Sequence, residues 1–217
     1  MQNRRNLLKK SLTTISAFGV GIAAAKASTV CNLTATQPEG PFYPIADQMD
    51  KDWDLTKVQS RTNKALGEVV TLSGVVTDEN CKPVKGALVE IWQACASGKY
   101  NHPGDPNAAP LDPDFQYWGR AITNDEGLYS FKTIKPGSYQ ATNDWVRPPH
   151  IHLKAGLRGY RELITQVYFK EEALLNSRDR LLQNIKPHEQ KTLVVEFTKG
   201  INEFREGKFN LTLEQLI

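Results

Sequence analysis

Short β-type segments separated by turns rich in glycine and proline occupy most of the chain from residue 68 onward, and they restrict the folds open to it. Residues 70–77 read Val-Thr-Leu-Ser-Gly-Val-Val-Thr, and comparable segments recur at residues 87–93, 163–169 and 193–197. Alternate side chains of a strand face opposite sides, so the first pattern is typical of a half-buried strand. We therefore predict an all-β fold, a β-sandwich of mixed and antiparallel sheets with long loops and one or two short helices.

Three regions follow one another along the chain. Residues 1–27 combine paired arginines, a weakly apolar stretch and an Ala-Lys-Ala site, which is the pattern of a twin-arginine-like export signal. Residues 28–66 form a loop-rich arm, and residues 67–217 form the predicted β-sandwich core. We expect an exported protein, periplasmic or extracellular, that is soluble when mature and meets the membrane only through its signal. Ordinary secretion and an uncleaved anchor are the alternatives.

Charge and cysteine content narrow the class of protein further. The formal net charge is +3, but residues 1–27 contain five basic residues and no acid, so the remainder carries 22 basic and 24 acidic residues. That balance, without a basic tract, argues against a nucleic-acid partner. In an exported chain, Cys31 and Cys81 are the expected disulfide pair because each flanks a strand. The alternative is three buried thiols, with Cys95 as the third.

Two histidines at alternate positions are the strongest functional signal. His150 and His152 would point the same way from a strand, so that both could bind one metal ion. Arg147 would leave a positive charge beside that ion. Such a pair also occurs as hydrogen-bonded core residues. Tyr100 and Tyr139, each close to a glycine in a turn, could complete the coordination shell, and two imidazoles with two phenolates suit a hard, oxidised iron.

A long irregular segment, residues 94–118, is the predicted active-site loop, since structureless loops of this length in compact domains are usually functional. It contains His102, which we expect to be solvated. The fourth histidine, His188, lies in a polar segment and is expected at the surface. The best helix candidate is residues 171–183.

Four segments, taken in order, resemble the intradiol ring-cleavage dioxygenases and specifically the protocatechuate 3,4-dioxygenase branch, with its beta chain as the nearest pattern. They are Thr-Gln-Pro-Glu-Gly-Pro-Phe-Tyr-Pro at 36–44, the stretch from Val89 to Tyr100, the stretch from Asp112 to Tyr139, and the stretch from Asn143 to Phe169 that contains Arg-Pro-Pro-His-Ile-His. The resemblance covers roughly residues 31–215.

The resemblance implies an Fe(III)-dependent enzyme that inserts O2 between the two hydroxyl-bearing carbons of a protocatechuate-type catechol and yields a cis,cis-muconate dicarboxylate. One Fe(III) per chain would be held by four ligands, Tyr100, Tyr139, His150 and His152. Tyr139 would also accept a substrate proton, and Arg147 and Gln166 would face the substrate ring. The implied partners are a catecholic small molecule, O2 and further chains in a homo- or hetero-oligomer.

The chain departs from that branch at Cys95, where Asn is more usual, and in the stretch after Tyr139, and other protein classes compete with the branch. Gln140-Ala141 stands where the branch often has Pro-Trp, in the wall that shapes the substrate end of the pocket. Residues 72–89 and 124–139 also resemble prealbumin-like modules, which are non-catalytic binding or structural β-sandwiches. Those modules have no reason to hold the histidine pair together with Arg147 and Tyr100. A two-histidine Fe(II) oxygenase is disfavoured because it needs a carboxylate ligand.

Overall fold

The computed structural model describes residues 30–200 and 203–216, and the predicted export signal lies outside them. The strands in this part of the chain are β1 (Val69–Asp78), β2 (Leu88–Trp92), β3 (Trp118–Ile122), β4 (Leu128–Ile134), β5 (Tyr139–Thr142), β6 (Trp145–Arg147), β7 (His150–Gly156), β8 (Leu163–Phe169), β9 (Val194–Val195), β10 (Thr198–Lys199), β11 (Arg205–Lys208) and β12 (Leu211–Leu213). The helices are α1 (Ala173–Asn176), α2 (Arg180–Gln183) and α3 (Pro187–Leu193), preceded by a 3-10 turn at Lys170–Glu172.

The first sheet is organised around β1. β4 pairs with it in antiparallel register, with Leu72 opposite Phe131. β11 and β12 pair in parallel with successive halves of β1, and β10 lies antiparallel beside β11. Every second residue of β1 is buried, as the alternation in residues 70–77 predicts.

The second sheet has the order β3-β2-β7-β8-β9 and carries the histidine pair at its centre. β7 runs antiparallel to both β2 and β8, whereas β9 is parallel to β8. Ile91 and Leu153 from this sheet belong to the same buried cluster as Leu72 and Phe131 from the first sheet. The two sheets thus enclose one core, which confirms the all-β sandwich with mixed and antiparallel pairing.

The connection between β8 and β9 contains the helices. The helix predicted over residues 171–183 is broken in two, because Asp179 has extended backbone and its carboxylate accepts a hydrogen bond from the Leu182 amide at 2.8 Å, which starts α2. Neither α3, which has Pro187 at its start, nor the short strand β11 was predicted, since both lie in polar sequence without clear periodicity.

The arm over residues 30–66 contains no helix, and its only β-pairing is an isolated bridge at Asp54. A disulfide joins Cys31 to Cys81 with a Cα–Cα distance of 5.2 Å, as expected, and Cys95 is a buried free thiol. Further along, the Gln37 amide donates to the Ile164 carbonyl at 2.8 Å. The arm is therefore fastened to both sheets. No helix in the described part of the chain has the length and apolarity needed to cross a membrane.

Candidate metal centre

Two imidazoles and two phenols meet at one end of the sandwich. β7 projects His150 and His152 from the same face, and their ring centroids are 4.9 Å apart. The hydroxyl of Tyr100 lies 3.2 Å from Nε2 of His150. The ring of Tyr139 lies 5.6 Å from that of Tyr100 and 5.9 Å from that of His150. The structure thus brings together all four side chains that the resemblance assigned to a metal.

Glycines allow the two tyrosine-bearing loops to approach each other. Gly98 has φ +81°, and a Cβ at this position would overlap the Ser138 carbonyl oxygen. A Cβ on Gly137 would lie 2.5 Å from the Ala96 carbonyl oxygen. The Gly98 and Gly137 amides both donate to one carbonyl, that of Cys95, at 2.9 and 3.0 Å. Glycine is therefore required where the loops meet, and this contact sets the separation of Tyr100 and Tyr139.

Both histidines are buried as neutral bases. Nδ1 of His150 donates to the Pro148 carbonyl at 2.7 Å, which leaves the Nε2 lone pair directed at the cluster. Burial, followed by the charge of Arg147, holds the pKa of each imidazole well below its usual range. His152 stacks on Trp92 with ring centroids 4.8 Å apart. Neutral imidazoles are the form that binds metal ions, so both can act as ligands without first losing a proton.

The two tyrosines are held as neutral phenols in the absence of a cation. Burial, and then the neighbouring Tyr139, raises the pKa of Tyr100 well above its usual value. Burial also raises the pKa of Tyr139, although Arg147 opposes the effect. A trivalent cation between the rings would reverse this balance and deprotonate both phenols. The donor set therefore fits the ferric ion that the resemblance implies.

The chemistry of the donors also bears on the Fe(II) alternative. Within residues 30–200 and 203–216 no group of three or more His, Cys, Asp or Glu side chains is placed to hold a metal. The carboxylate that a two-histidine Fe(II) centre needs is therefore missing from the described residues.

Arg147 is fixed behind the cluster by a buried network. Its Nε donates to Asp179 Oδ2 at 2.9 Å, and its Nη2 donates to Gln166 Oε1 at 2.9 Å and to the Tyr168 hydroxyl at 3.1 Å. Burial alone would lower the pKa of the guanidinium, but Tyr168, Asp179 and Tyr139 outweigh it and raise the pKa. Arg147 is thus a permanent and immobile positive charge.

Gln166 lies behind Arg147. It is fully buried, its Oε1 accepts hydrogen bonds from Arg147 and Tyr168, and its Nε2 donates to the Pro38 carbonyl at 3.0 Å. Because its Oε1 accepts from Arg147 while its Nε2 is bonded to the Pro38 carbonyl, Gln166 holds Arg147 in place. Sequence reasoning could have identified Tyr168, because it is two residues after Gln166 and so lies on the same face of β8. The sequence signal for Asp179 was weak, since it is only an acidic residue that precedes a short apolar run.

A cavity of about 300 Å³ opens beside the cluster. Its lining residues are Gly40, Pro41, Phe42, Asp105, Pro106, Tyr139, Gln140, Ala141, Trp145, Arg147, His152 and Leu181. Asp105 comes from the predicted active-site loop, and its Oδ2 accepts from the Tyr100 amide at 2.7 Å. The cavity therefore joins the metal donors to a pocket large enough for one small aromatic ring.

The N-terminal arm covers the cluster from the cavity side. A Cβ on Gly40, which has φ +76°, would lie 3.4 Å from Cε1 of His152, so the backbone passes directly over that imidazole. The ring of Phe42 lies 4.8 Å from that of Tyr100. The other two histidines are not part of this cluster. His102 is half-buried, with its ring centroid 5.7 Å from that of Phe42, and His188 is exposed on α3.

Comparison with known proteins gives a consistent result. A protein-family model described as Dioxygenase matches residues 38–215. A protocatechuate 3,4-dioxygenase beta chain from Burkholderia cepacia is 42% identical over 168 residues, covering 75% of this chain and 70% of that protein. A catechol 1,2-dioxygenase from Candida albicans is 38% identical over 149 residues, covering 62% of this chain and 44% of that protein. The solved structure of an intradiol ring-cleavage dioxygenase from Tetranychus urticae superposes with a TM-score of 0.66 at 25% identity, over 85% of this chain and 95% of that chain.

Proposed function

Because the chain belongs to the intradiol dioxygenase family, we propose that it binds one Fe(III) and inserts O2 between the two hydroxyl-bearing carbons of a catechol, giving a cis,cis-muconate dicarboxylate. The observation that carries the proposal is the meeting of two imidazoles and two phenols beside a cavity of ring size. The four ligands would be Tyr100, Tyr139, His150 and His152. A bound ferric ion supplies Lewis acidity toward the two substrate hydroxyls.

Tyr139 is the residue we assign to proton transfer. It is half-buried and lines the cavity, whereas Tyr100 is almost fully buried at 3% exposure. A substrate in the cavity therefore meets Tyr139 first. Once a cation has converted it to the phenolate, Tyr139 is therefore placed to accept a proton from a substrate hydroxyl.

Arg147 supplies a fixed positive charge to the same cavity. Ring cleavage passes through states in which negative charge accumulates on the substrate oxygens, and a preorganised cation in a site shielded from water stabilises them. Because Asp179, Gln166 and Tyr168 already orient the guanidinium, no reorganisation is needed when that charge develops.

The arm keeps water from the reacting groups. Pro41 and Phe42 line the cavity, and Gly40 lies over His152. Exclusion of water strengthens the effect of Arg147 on the bound substrate and protects reactive species from hydrolysis.

A visible absorption spectrum of aerobically purified protein, with its iron content, tests the proposed function. We expect a red-brown tyrosinate-to-iron band that shifts when a catechol is added under nitrogen, and a muconate product once air is admitted. A colourless protein that takes up no iron after ferric reconstitution would instead favour the prealbumin-like binding module.

The substrate and the assembly are finer parts of the proposal. The resemblance implies a protocatechuate-type catechol, which the name of the Burkholderia cepacia relative supports, whereas the Candida albicans relative is named for catechol. The Burkholderia cepacia relative is named as a beta chain, which supports a homo- or hetero-oligomer. Light scattering of the protein expressed alone tests this, since a homo-oligomer should form without a second chain.

We also propose that residues 1–27 direct export to the periplasm or beyond. The support is the twin-arginine-like pattern, together with the Cys31–Cys81 disulfide, since such bonds persist mainly in oxidising compartments. Fractionation of cells that express the whole chain should find it outside the cytoplasm, and replacing both arginines by lysine should retain it inside. Unchanged export of that variant would contradict the twin-arginine route.

A further inference from the structure

The cavity wall is mainly apolar outside the catalytic and metal-binding groups. Pro41, Pro106, Ala141, Trp145 and Leu181 form much of that remaining wall. Gln140 and Ala141 stand where the protocatechuate branch often has Pro-Trp. The side chains of this wall therefore differ from those of that branch. A substituent on a bound ring would therefore meet apolar side chains here.

The one acid in the wall would repel an anionic substituent. Asp105 is buried, and its carboxylate accepts the Tyr100 amide at 2.7 Å and the Asn107 amide at 2.8 Å. The nearest cation to it, Lys99, is 3.9 Å from its carboxylate and donates to the Asp105 carbonyl at 2.7 Å. Lys99 is therefore engaged with the Asp105 loop and is not available to a second carboxylate.

The cations around the cavity are already paired. Arg147 is the only cationic side chain in the described wall, and it is bonded to Asp179 within the protein interior. Arg180 lies outside the wall, with its guanidinium 5.4 Å from the Trp145 ring, and it is paired with Asp144 at 2.6 Å. Apart from Arg147, which lies opposite Tyr139 at the proposed metal site, no cationic side chain of the described wall would meet a substrate carboxylate. Burial of that carboxylate among the apolar side chains is therefore unfavourable.

Resting on the proposed function, we infer that this site selects uncharged catechols, either catechol or rings that carry an apolar substituent, over protocatechuate. The inference departs from the protocatechuate-type substrate that the resemblance implies, while the proposed ring-cleavage reaction is unchanged. An unpaired carboxylate in such a pocket should weaken binding by about 100-fold relative to a methyl group at the same ring position.

The test compares 4-methylcatechol with protocatechuate, which carry a methyl and a carboxylate group at the same ring position. Each is titrated under nitrogen into the ferric protein, and the shift of the visible band gives Kd without turnover. Binding of 4-methylcatechol about 100-fold tighter than protocatechuate supports the inference. Equal or tighter binding of protocatechuate overturns it while the proposed function stands. Failure of both, and of catechol itself, to bind overturns the proposed function and the inference with it.

Variants test whether the wall causes the preference. Leu181→Lys places a cation in the cavity and should improve protocatechuate affinity at least tenfold while weakening that of 4-methylcatechol. Ala141→Lys, at an exposed position of β5, tests the same effect without altering α2. Leu174→Lys adds the same charge at an exposed position on α1, away from the wall, and should leave the ratio of affinities unchanged. An unchanged ratio in both wall variants overturns the inference.

Discussion

Tyr139 and Arg147 lie directly opposite each other across the β5–β6 ladder. The hairpin therefore fixes a phenol beside a permanent positive charge, and Arg147 partly offsets the rise that burial causes in the pKa of Tyr139. A one-residue slip of this register would turn one of the two side chains to the other face of the hairpin. The register of two short strands thus places the proposed base and the proposed electrostatic group in the same cavity.

His152→Ala should abolish stoichiometric iron binding, because it removes one of the four donors and no carboxylate among residues 30–200 and 203–216 is placed to replace it. The measurement is iron per chain after ferric reconstitution, with circular dichroism to confirm folding. His188→Ala, at an exposed position on α3, is the control and should bind iron like the unaltered protein. A folded His152→Ala protein with full iron content would contradict the ligand assignment.

Tyr139→Phe should retain iron through the remaining three donors but lose the proposed proton acceptor. We expect the tyrosinate band to change and kcat to fall by about 100-fold or more. Rapid mixing with a catechol in the presence and absence of O2 would separate binding from chemistry. Tyr160→Phe, outside the cluster, serves as the control. Normal turnover by Tyr139→Phe would show that proton transfer uses another group.

Asp179→Asn should misplace Arg147, since it removes the partner of a buried guanidinium and weakens the cap of α2. Breaking a buried ion pair on one side typically costs about 3 kcal/mol of unfolding free energy. We expect kcat to fall while iron content is preserved. Asp144→Asn breaks an exposed pair with Arg180 and should leave both unfolding and turnover near their original values. Equal effects of the two variants on unfolding and on kcat would contradict the role of Asp179 in positioning Arg147.

Gly98→Ala should separate the two tyrosine-bearing loops, because a Cβ there overlaps the Ser138 carbonyl. Gly86 provides a matched control: it also has positive φ, at +78°, but nothing lies within 4 Å of an added Cβ. Gly86→Ala should cost only the backbone penalty, about 1 kcal/mol. Gly98→Ala should cost more and should weaken iron binding as well, measured by thermal unfolding and iron content. Equal losses at the two sites would contradict the role given to the loop contact.

Removal of the Cys31–Cys81 disulfide should destabilise the fold. The bond closes a segment of 50 residues, and in the chain-entropy account a loop of that length contributes about 3–4 kcal/mol. The double Cys→Ser variant should therefore unfold about 6–16 °C lower than the oxidised protein. Reduced unaltered protein should match the variant. If oxidised and reduced protein melt together, the disulfide contributes nothing to stability.

The histidine pair could be predicted from sequence because the relation between its members is local. The period of a strand places His150 and His152 on one face, and their rings do lie 4.9 Å apart. Tyr100 and Tyr139 are different, because they lie in separate loops. Only the resemblance joined them to the histidines, since their proximity depends on a tertiary contact between Gly98 and residue 138.

The support behind Arg147 was harder to foresee. Asp179 is 32 residues from Arg147, and no local pattern links an acid before a short helix to an arginine on β6. Gln166 was found by resemblance, but its position behind Arg147 follows from hydrogen bonds to Pro38 and Tyr168 that span up to 128 residues. Long-range partners of this kind leave no periodic trace in the chain.

The chain order of these groups has a consequence for biosynthesis. All four proposed donors have been made once residue 152 is added, but Tyr168 and Asp179, which fix Arg147, come later. A nascent chain arrested near residue 160 would therefore carry every donor side chain and none of the three partners that orient the guanidinium. Acquisition of the metal-binding groups and completion of the electrostatic environment are thus separated in time during translation.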